Sequence, residues 1–419
     1  MKRRSVAVVG AGVAGLTAAY VLQRACDVTL YEADARLGGH AHTHEPMTAD
    51  GRLLRVDSGF IVHNERTYPM LLRLFAELGV TTQDSEMSMS VRCEGCGLEY
   101  AGARGLAALF TGRPALRGRY LRMLAEVPRF HRSARRLLKG NGAPAYTLGR
   151  LLSEGGYSPY FITHFVTPLV SAVWSCPPET ALRYPARYLF RFLDHHGLLT
   201  ITGSPQWKTV TGGSREYVDR IAKEISTVRV ATPVRSVRRF TDSARVVTDD
   251  GDSQDYAAVV MALHPDQALR VLSDPTDNER RVLGAFEYSR NPTVLHGDTR
   301  LLPRSARARA SWNYYMPSCT ATSDTVQVSY DMKRLQRLRT ADDFIVTLNA
   351  DGRVDPGKVL AGMVYEHPVY TPASVAAQRH LPRLNTAVTA YAGAYHGWGF
   401  HEDGCRSGVE AAAALGVRW

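Results

Sequence analysis

Val6-Ala7-Val8-Val9-Gly10-Ala11-Gly12-Val13-Ala14-Gly15-Leu16, followed by Val28-Thr29-Leu30-Tyr31-Glu32-Ala33, decides the reading of this chain. Val6–Val9 reads as a short strand, Ala14–Arg24 as a helix and Val28–Tyr31 as the next strand, so the stretch predicts a βαβ unit with glycines in its first turn. Each glycine meets a separate demand. Gly10 permits a tight turn, Gly12 lets the backbone approach a pyrophosphate with no Cβ in the way, and Gly15 allows helix and strand to pack closely. Ala14 lies in the first helical turn, whose free N–H groups and positive dipole end favour phosphate. Glu32 stands about 20 residues beyond the start of the motif, where a carboxylate can accept hydrogen bonds from an adenosine ribose.

Working outward, 419 residues give length for two to three domains at about 150 residues each. Hydrophobic residues make up 45% and charged residues 22%, which excludes a disordered chain and a polytopic membrane protein. A net charge of +11 favours anionic partners in general. Six scattered cysteines are too few for a disulfide framework and fit a reducing, cytoplasmic setting. The basic start at Lys2-Arg3-Arg4 resembles an export signal, but Gly10, Gly12 and Gly15 do not suit an apolar signal core, and export is not expected. No apolar run reaches the roughly 20 residues that a membrane span needs.

Further along, the spacing of Leu71, Leu72, Leu74, Phe75 and Leu78 predicts a helix over Tyr68–Leu78. Val228–Leu263 alternates β-branched and charged residues and reads as a strand meander ending in a buried strand. The end of the chain reads as a strand, a glycine-rich loop and an Ala-rich helix from about Ser407.

Arg36-Leu37-Gly38-Gly39-His40 follows Glu32 and exceeds what a dinucleotide site alone requires. Adjacent glycines bring backbone against a large flat ligand, and Arg36 can reach phosphate as a permanently charged fork. With V-x-V-V-G-A-G-x-A-G-L, then Y-E-A, then R-L-G-G-H, the chain resembles FAD-binding proteins of the flavin-containing amine oxidase and phytoene desaturase superfamily. Within it, the chain looks most like the NAD/FAD-binding oxidoreductases that accompany cyclopropane-fatty-acid synthases in bacteria. The resemblance extends through Val56-Asp57-Ser58-Gly59-Phe60, Gly212-Gly213-Ser214, Pro233-Val234, Ala392-Gly393-Ala394, Gly399-Phe400-His401-Glu402-Asp403-Gly404 and Ser407-Gly408.

The resemblance implies an α/β fold with a Rossmann-type (GR2-like) FAD-binding domain and a discontinuous α+β substrate domain. It places the FAD domain at 1–75, 205–270 and 375–419, and the substrate domain at 76–204 and 271–374. It assigns Gly10, Gly12, Ala14, Gly15, Glu32, Ala33, Arg36, Gly38, Gly39, His40, Asp57, Gly59, Pro233, Val234, Gly393, Glu402, Asp403 and Gly404 to cofactor binding. The chain departs from the pattern at His40, where a second arginine is usual, at Ala394 in place of the acid of A-G-E, and at Phe400 in place of the tyrosine of an amine-positioning aromatic cage. These departures weigh against a simple amine substrate. With no cysteine at the covalent-attachment position, the FAD is expected to be non-covalent.

His40, His42 and His44 alternate and would share one face of a strand, a conceivable metal site, but no acid or cysteine lies at ligand spacing and no metal is expected. Cys93-Glu94-Gly95-Cys96 is a single C-x-x-C, read either as a hairpin turn with two reduced thiols or as a redox dithiol or half a zinc site. Residues 104–139 interleave ten basic side chains, Arg104 to Lys139, with Leu109, Phe110, Tyr120, Leu121, Met123, Leu124 and Phe130. That pattern suits either a basic amphipathic helix pair on anionic membrane or a solvated helical face; nucleic acid is not expected.

Catalytic candidates are Tyr365, His396, Trp398 and Phe400, with Tyr395, His401, Glu366 and His367 beside them and His63, Asn64, Trp312 and Asn313 as further pocket residues. The function expected is FAD-dependent removal of hydride from an aliphatic, lipid or fatty-acyl substrate by an oxidase or desaturase. Amine oxidation with peroxide release is the alternative, and a non-catalytic flavin-binding partner of a lipid methyltransferase is a third reading. The protein is expected in the cytoplasm, at most peripheral to the membrane.

Overall fold

The computed structural model describes residues 3–140, 146–199, 205–320 and 326–419. The expected substrate-domain ranges also run through 141–145, 200–204 and 321–325, which lie outside the described residues. The βαβ unit forms as read, with β1 at Arg4–Val9, α1 at Val13–Leu22 and β2 at Cys26–Tyr31. Val6, Ala7, Val8 and Val9 are all buried, the pattern of a strand covered on both faces. β2 and Ala258–Met261 flank β1 in parallel, with Val8 opposite both Leu30 and Val260. Thr227–Arg229 and Thr389–Tyr391 complete five parallel strands drawn from three distant parts of the chain.

α1 is buried nearly all round because a second helix crosses it. A Cβ at Gly408 would stand 2.4 Å from the Ala14 carbonyl oxygen, and one at Gly404 would stand 2.6 Å from a Val13 methyl, so the two glycines allow the crossing. This C-terminal helix spans His401–Ala414, beginning well before the expected Ser407. The polar residues that read as loop are its cap. The Asp403 carboxylate accepts from the Trp398 and Phe400 N–H groups at 2.9 and 3.1 Å.

The helix expected over Tyr68–Leu78 is α2, Pro69–Leu78, with Gly79 in the left-handed region at its end. The meander is an antiparallel trio, Val234–Arg239, Ala244–Thr248 and Ser253–Tyr256, after which the fully buried Ala258–Met261 returns the chain to the parallel sheet. A second, seven-stranded sheet is built from Met89–Cys93 and Leu98–Ala101 together with five strands between Glu287 and Val369. It is antiparallel except where Trp312–Met316 runs parallel to Met89–Cys93. A helical cluster packs on it around Phe130, Phe161, Phe190 and Trp174.

The arginine-rich stretch holds a short helix, Leu106–Leu109, and a long one, Gly118–Lys139. Part of the apolar content of this stretch is taken up by the protein itself. Tyr120, Met123, Phe130 and Ala134 of the long helix are buried in the protein's own core, with Phe130 edge-on to Phe161 and Phe190.

Candidate active site

The motifs meet at the C-terminal edge of the parallel sheet. β1 leads into Gly10, β2 into Glu32, Thr227–Arg229 towards Pro233 and Val234, Ala258–Met261 towards His264, and Thr389–Tyr391 into Ala392 and Gly393. Ligands of open α/β sheets bind outside this edge.

Gly10 has φ +98°, and a Cβ there would stand 2.4 Å from the Ala262 carbonyl oxygen; a Cβ at Gly15 would stand 1.9 Å from that of Gly10. Gly12 differs, because a Cβ there would meet nothing within 4 Å. Two of the glycines are therefore required by the protein's own packing, and the third faces open space. α1 starts on Gly12, where no side chain caps it, so the N–H groups of its first turn around Ala14 have no side-chain acceptor. Gly38 of the second glycine turn donates its N–H to the Ala11 carbonyl at 2.8 Å. Among the described residues Arg36 makes only long contacts, 3.4 and 3.5 Å, to the Leu37 and Ala41 carbonyls.

The half-buried Glu32 carboxylate accepts from the Ala11 N–H at 2.8 Å and the Asp34 N–H at 3.0 Å, and burial raises its pKa. Ala33 beside it is exposed. The N–H groups of Ala231 and Thr232 donate to the Asp34 and Glu32 carbonyls, both at 2.8 Å, which draws Pro233 and Val234 alongside. The Pro233 carbonyl itself accepts from the Asp249 N–H at 3.0 Å.

These features fit FAD: an uncapped helix start, an open slot at Gly12, an acid at the end of β2 and a weakly engaged arginine. The His40 Nε2 atom adds to the fit, being buried with no hydrogen-bond partner among the described residues.

Other expected cofactor residues also brace this edge, Asp57, Glu402 and Asp403 through their carboxylates and Gly59, Gly393 and Gly404 through their backbone. Asp57 is fully buried and accepts from Thr43 Oγ1 at 2.6 Å, Ser214 N–H at 3.0 Å and Ser214 Oγ at 2.8 Å, tying down the Gly212-Gly213-Ser214 turn. Burial pushes its pKa up to about 6. Gly59 lies against His40, where a Cβ would stand 2.1 Å from the carbonyl oxygen. Gly393 donates its N–H to Ser407 Oγ at 2.9 Å. Glu402 caps α2, accepting from the Met70 and Leu71 N–H groups at 3.1 and 3.0 Å. Asp403 holds the turn before its own helix and accepts from Arg406 at 2.6 Å. Gly404 packs on α1.

A histidine-rich wall rises beside the second glycine turn. His40 stacks on Tyr365 with centroids 4.9 Å apart and lies 5.5 Å from His367. Tyr365 Oη shares hydrogen bonds with Ser58 Oγ at 2.6 Å and His42 Nδ1 at 3.2 Å, and Ser58 Oγ reaches His44 Nε2 at 2.8 Å. The three alternating histidines do not lie on one strand as expected: only Thr43–His44 is extended, His42 and His44 pack 4.0 Å apart, and His40 turns to Tyr365. Burial first, then the Arg36 charge, holds His42 down to about 3 and His44 to about 4. Burial likewise lowers His367 to about 4 and His40 well below the usual imidazole range.

A second wall is aromatic. Phe400 stacks on Phe192 at 4.7 Å, Trp398 lies 5.9 Å from Phe192, and Trp174 donates its indole N–H to the Trp398 carbonyl at 3.1 Å. His396 Nε2 and Trp398 Nε1 are buried without a hydrogen-bond partner among the described residues. His401 stacks on Phe60 at 3.7 Å and shares a hydrogen bond with Tyr217 Oη at 2.9 Å. His63 is fully buried with neither ring nitrogen partnered among the described residues, whereas Asn64 and Asn313 accept from nearby backbone N–H groups. Trp312 meets Tyr330 edge-on.

The sequence reading missed His264, Trp174 and Phe192. His264 had a signal, three residues past a buried strand at the ligand-binding edge; it stacks on Tyr288 at 4.1 Å and lies 3.3 Å from Glu366. The others come from helices whose spacing reads only as core.

The sequence profile of the flavin containing amine oxidoreductases matches residues 13–295. The chain belongs to that family. FAD is its cofactor, and oxidoreduction is the family's reaction class. This flavin amine oxidoreductase is 25% identical over 286 residues to (S)-6-hydroxynicotine oxidase of Paenarthrobacter nicotinovorans, a match covering 65% of this chain and 63% of that enzyme. The chain therefore matches less than two thirds of that relative's length. Among solved structures, cyclohexylamine oxidase from Brevibacterium oxydans superimposes with a TM-score of 0.69 at 16% identity, covering 99% of this chain and 98% of that one. The CLA-producing fatty acid isomerase from P. acnes superimposes with the same TM-score and identity over 97% of each chain. These two likenesses establish the α/β flavin-oxidase fold.

Proposed function

We propose that the protein is an FAD-dependent oxidoreductase that removes hydride from an aliphatic carbon of an uncharged, apolar substrate of lipid or fatty-acyl class. One observation carries the substrate class: the acids around the site are already engaged. Asp57 is held by Thr43 and Ser214, Glu402 by the start of α2, Asp403 by Arg406, and Glu366 lies against His264. The histidines are held neutral by burial. The donors around Asp57, Glu402 and Asp403 occupy the oxygens that a cationic substrate would need and leave it the half-exposed Glu366 alone among these acids, and burying a charge without a close partner is costly. The fold accommodates such a substrate, since the fatty acid isomerase shares it.

Hydride acceptance is the chemistry that FAD supplies when bound. The chain's own part is to place and enclose the substrate. His40, Tyr365 and His367 form a polar wall, and the Ser58–Tyr365–His42 contacts hold a proton at Tyr365 Oη. Trp174, Phe192, Trp398 and Phe400 form an apolar wall that excludes water. The domain division at 1–75, 205–270 and 375–419 belongs to this proposal, with the substrate held by the remainder. So do the kinship with the oxidoreductases that accompany cyclopropane-fatty-acid synthases, a lipid methyltransferase as partner, and membrane contact through residues 104–139. Among the described residues no helix is long and apolar enough to cross a membrane.

Amine oxidation is the second reading, favoured by the family's description and by the likeness to cyclohexylamine oxidase. The deciding experiment is an anaerobic absorption spectrum of the purified protein with membrane lipid extract and, separately, with a panel of amines. Bleaching of the flavin by lipid supports the proposal. Bleaching by amines alone replaces it with the second reading, and reduction by neither leaves a flavin-binding partner protein.

A further inference from the structure

We propose that Cys93, Cys96, His164 and Cys319 form a Cys3His site for a structural zinc ion beside the seven-stranded sheet. The four ligand atoms all lie within 4.8 Å of one another. Tetrahedral zinc with Zn–S near 2.3 Å and Zn–N near 2.0–2.1 Å requires S···S of about 3.8 Å and S···N of about 3.6 Å. Cys93 Sγ stands 3.7 Å from Cys319 Sγ, and Cys96 Sγ stands 3.6 Å from His164 Nε2.

The surroundings prepare each ligand. His164 Nδ1 lies 3.1 Å from the Tyr160 carbonyl oxygen, which can only accept, so the ring proton belongs on Nδ1 and the Nε2 lone pair points at the thiols. The helix is wound as a π-turn over Ile162–Val166, a local irregularity that sets the direction of His164. The C-x-x-C is the turn between Met89–Cys93 and Leu98–Ala101, as the hairpin reading expected. A Cβ at Gly95 would stand 2.9 Å from the Cys319 nitrogen, so glycine is what lets the Cys319 loop close over the pair. No further ligand lies near the two cysteines in sequence, which is why the sequence offered half a zinc site only as one reading beside a hairpin turn and a redox dithiol. The partners arrive from 68 and 226 residues away.

Cys93, Cys96 and His164 are buried and Cys319 is half-buried. Four protein ligands leave no open coordination position, which marks a structural rather than a catalytic ion. Binding releases the thiol protons, and three thiolates with Zn²⁺ and a neutral imidazole carry one net negative charge. Two cations stand ready for it. Arg117 donates to the Cys96 carbonyl at 3.2 Å, and Arg119 lies over the ring of Tyr160, whose hydroxyl is 3.6 Å from Cys96 Sγ. The ion would fasten a hairpin, a helix and a distant loop together, a closure that the chain otherwise achieves only at an entropic cost.

The test is elemental analysis of the full-length protein, with flavin content recorded in parallel. About one zinc per chain is expected, retained in His164→Cys and Cys26→Ala and lost from Cys96→Ser. Cobalt added to the chelated wild-type protein should give tetrahedral d–d bands on the red side of the flavin absorption, a readout independent of whether any variant folds. Zinc content below stoichiometry together with no cobalt bands, a Cys93–Cys319 disulfide in the purified protein, or zinc that persists equally in Cys96→Ser would each overturn the assignment.

Discussion

Gly39 lies directly against Gly12: a Cβ on Gly39, which has φ +56°, would stand 3.2 Å from the Gly12 Cα. The second glycine turn is thereby laid on the first, and the one slot left unfilled at their junction is the one above Gly12. The two turns form one surface, and that explains why the R-L-G-G-H segment must follow β2 so closely.

This junction separates a cofactor glycine from a packing glycine. Gly12→Ala adds a methyl group into open space at an ordinary φ of −70°, so the apoprotein should melt within about 1 kcal/mol of wild type while flavin content falls sharply. Gly15→Ala drives its methyl into the Gly10 carbonyl at 1.9 Å and should unfold the chain or cost several kcal/mol, of order 3. The flavin-to-protein absorbance ratio and the thermal midpoint measure both effects. Retention of full flavin by Gly12→Ala would place the pyrophosphate elsewhere.

The wall residue with the clearest hydrogen-bonding task is Tyr365, and Tyr365→Phe isolates that task. The ring still stacks on His40, but the bonds to Ser58 and His42 are lost. One such bond is worth about 1 kcal/mol net, so flavin should bind as before and the rate of anaerobic flavin reduction should drop by up to about tenfold. An unchanged rate in stopped-flow would remove Tyr365 from the site.

Much of the cofactor edge was legible in sequence because it rests on backbone geometry, and Gly10, Gly12, Gly15 and Glu32 stand at the spacings that geometry requires. Glu402 and Asp403 were harder to read. Each is a buried acid in a family motif, yet their side chains answer to helix N-termini, α2 and the C-terminal helix, which only the folded chain brings within reach. The aromatic wall was legible only in Trp398 and Phe400. Phe192 and Trp174 sit at ordinary core spacing, and nothing along the chain marks them as neighbours of Phe400. His164 and Cys319 follow the same rule, since long-range convergence leaves no local periodicity.

Buried neutral histidines make the protein acid-labile. Burial holds His42 and His401 at about 3 and His44, His367 and His396 at about 4. In the unfolded chain each would titrate near 6.5. As pH falls from about 6.5 towards 4 the unfolded state takes up protons that the folded state does not, so stability present above 6.5 is lost. Asp57 works in the opposite sense, because its pKa of about 6 means that the folded chain keeps a proton the unfolded chain releases. Glu32, raised by burial, acts in the same sense as Asp57, and the two do not offset five histidines. The urea midpoint should fall between about pH 7.5 and pH 5, and a midpoint that rises on acidification would contradict the buried neutral state.

Membrane contact through this region would come from the segment before the long basic helix together with that helix's first turn, Leu121 and Arg122, rather than from the rest of the helix. That helix spends its apolar face on Phe161 and Phe190, whereas Leu106 is 75% and Leu116 68% exposed, with Leu121 and Phe110 also open to solvent. Arg113 and Arg122 stand among them in sequence, so apolar insertion and phosphate contact can act together. A leucine moved from water into the lipid interface gains about 1.5 kcal/mol or more, and removing three should weaken binding well beyond tenfold. Leu106→Ser/Leu116→Ser/Leu121→Ser is therefore expected to abolish pelleting with anionic vesicles while leaving flavin content intact. Arg113→Glu/Arg122→Glu should abolish it at low salt. Pelleting that survives both sets of changes would leave the arginines as a solvated face and send the search for a lipid entry route to another surface.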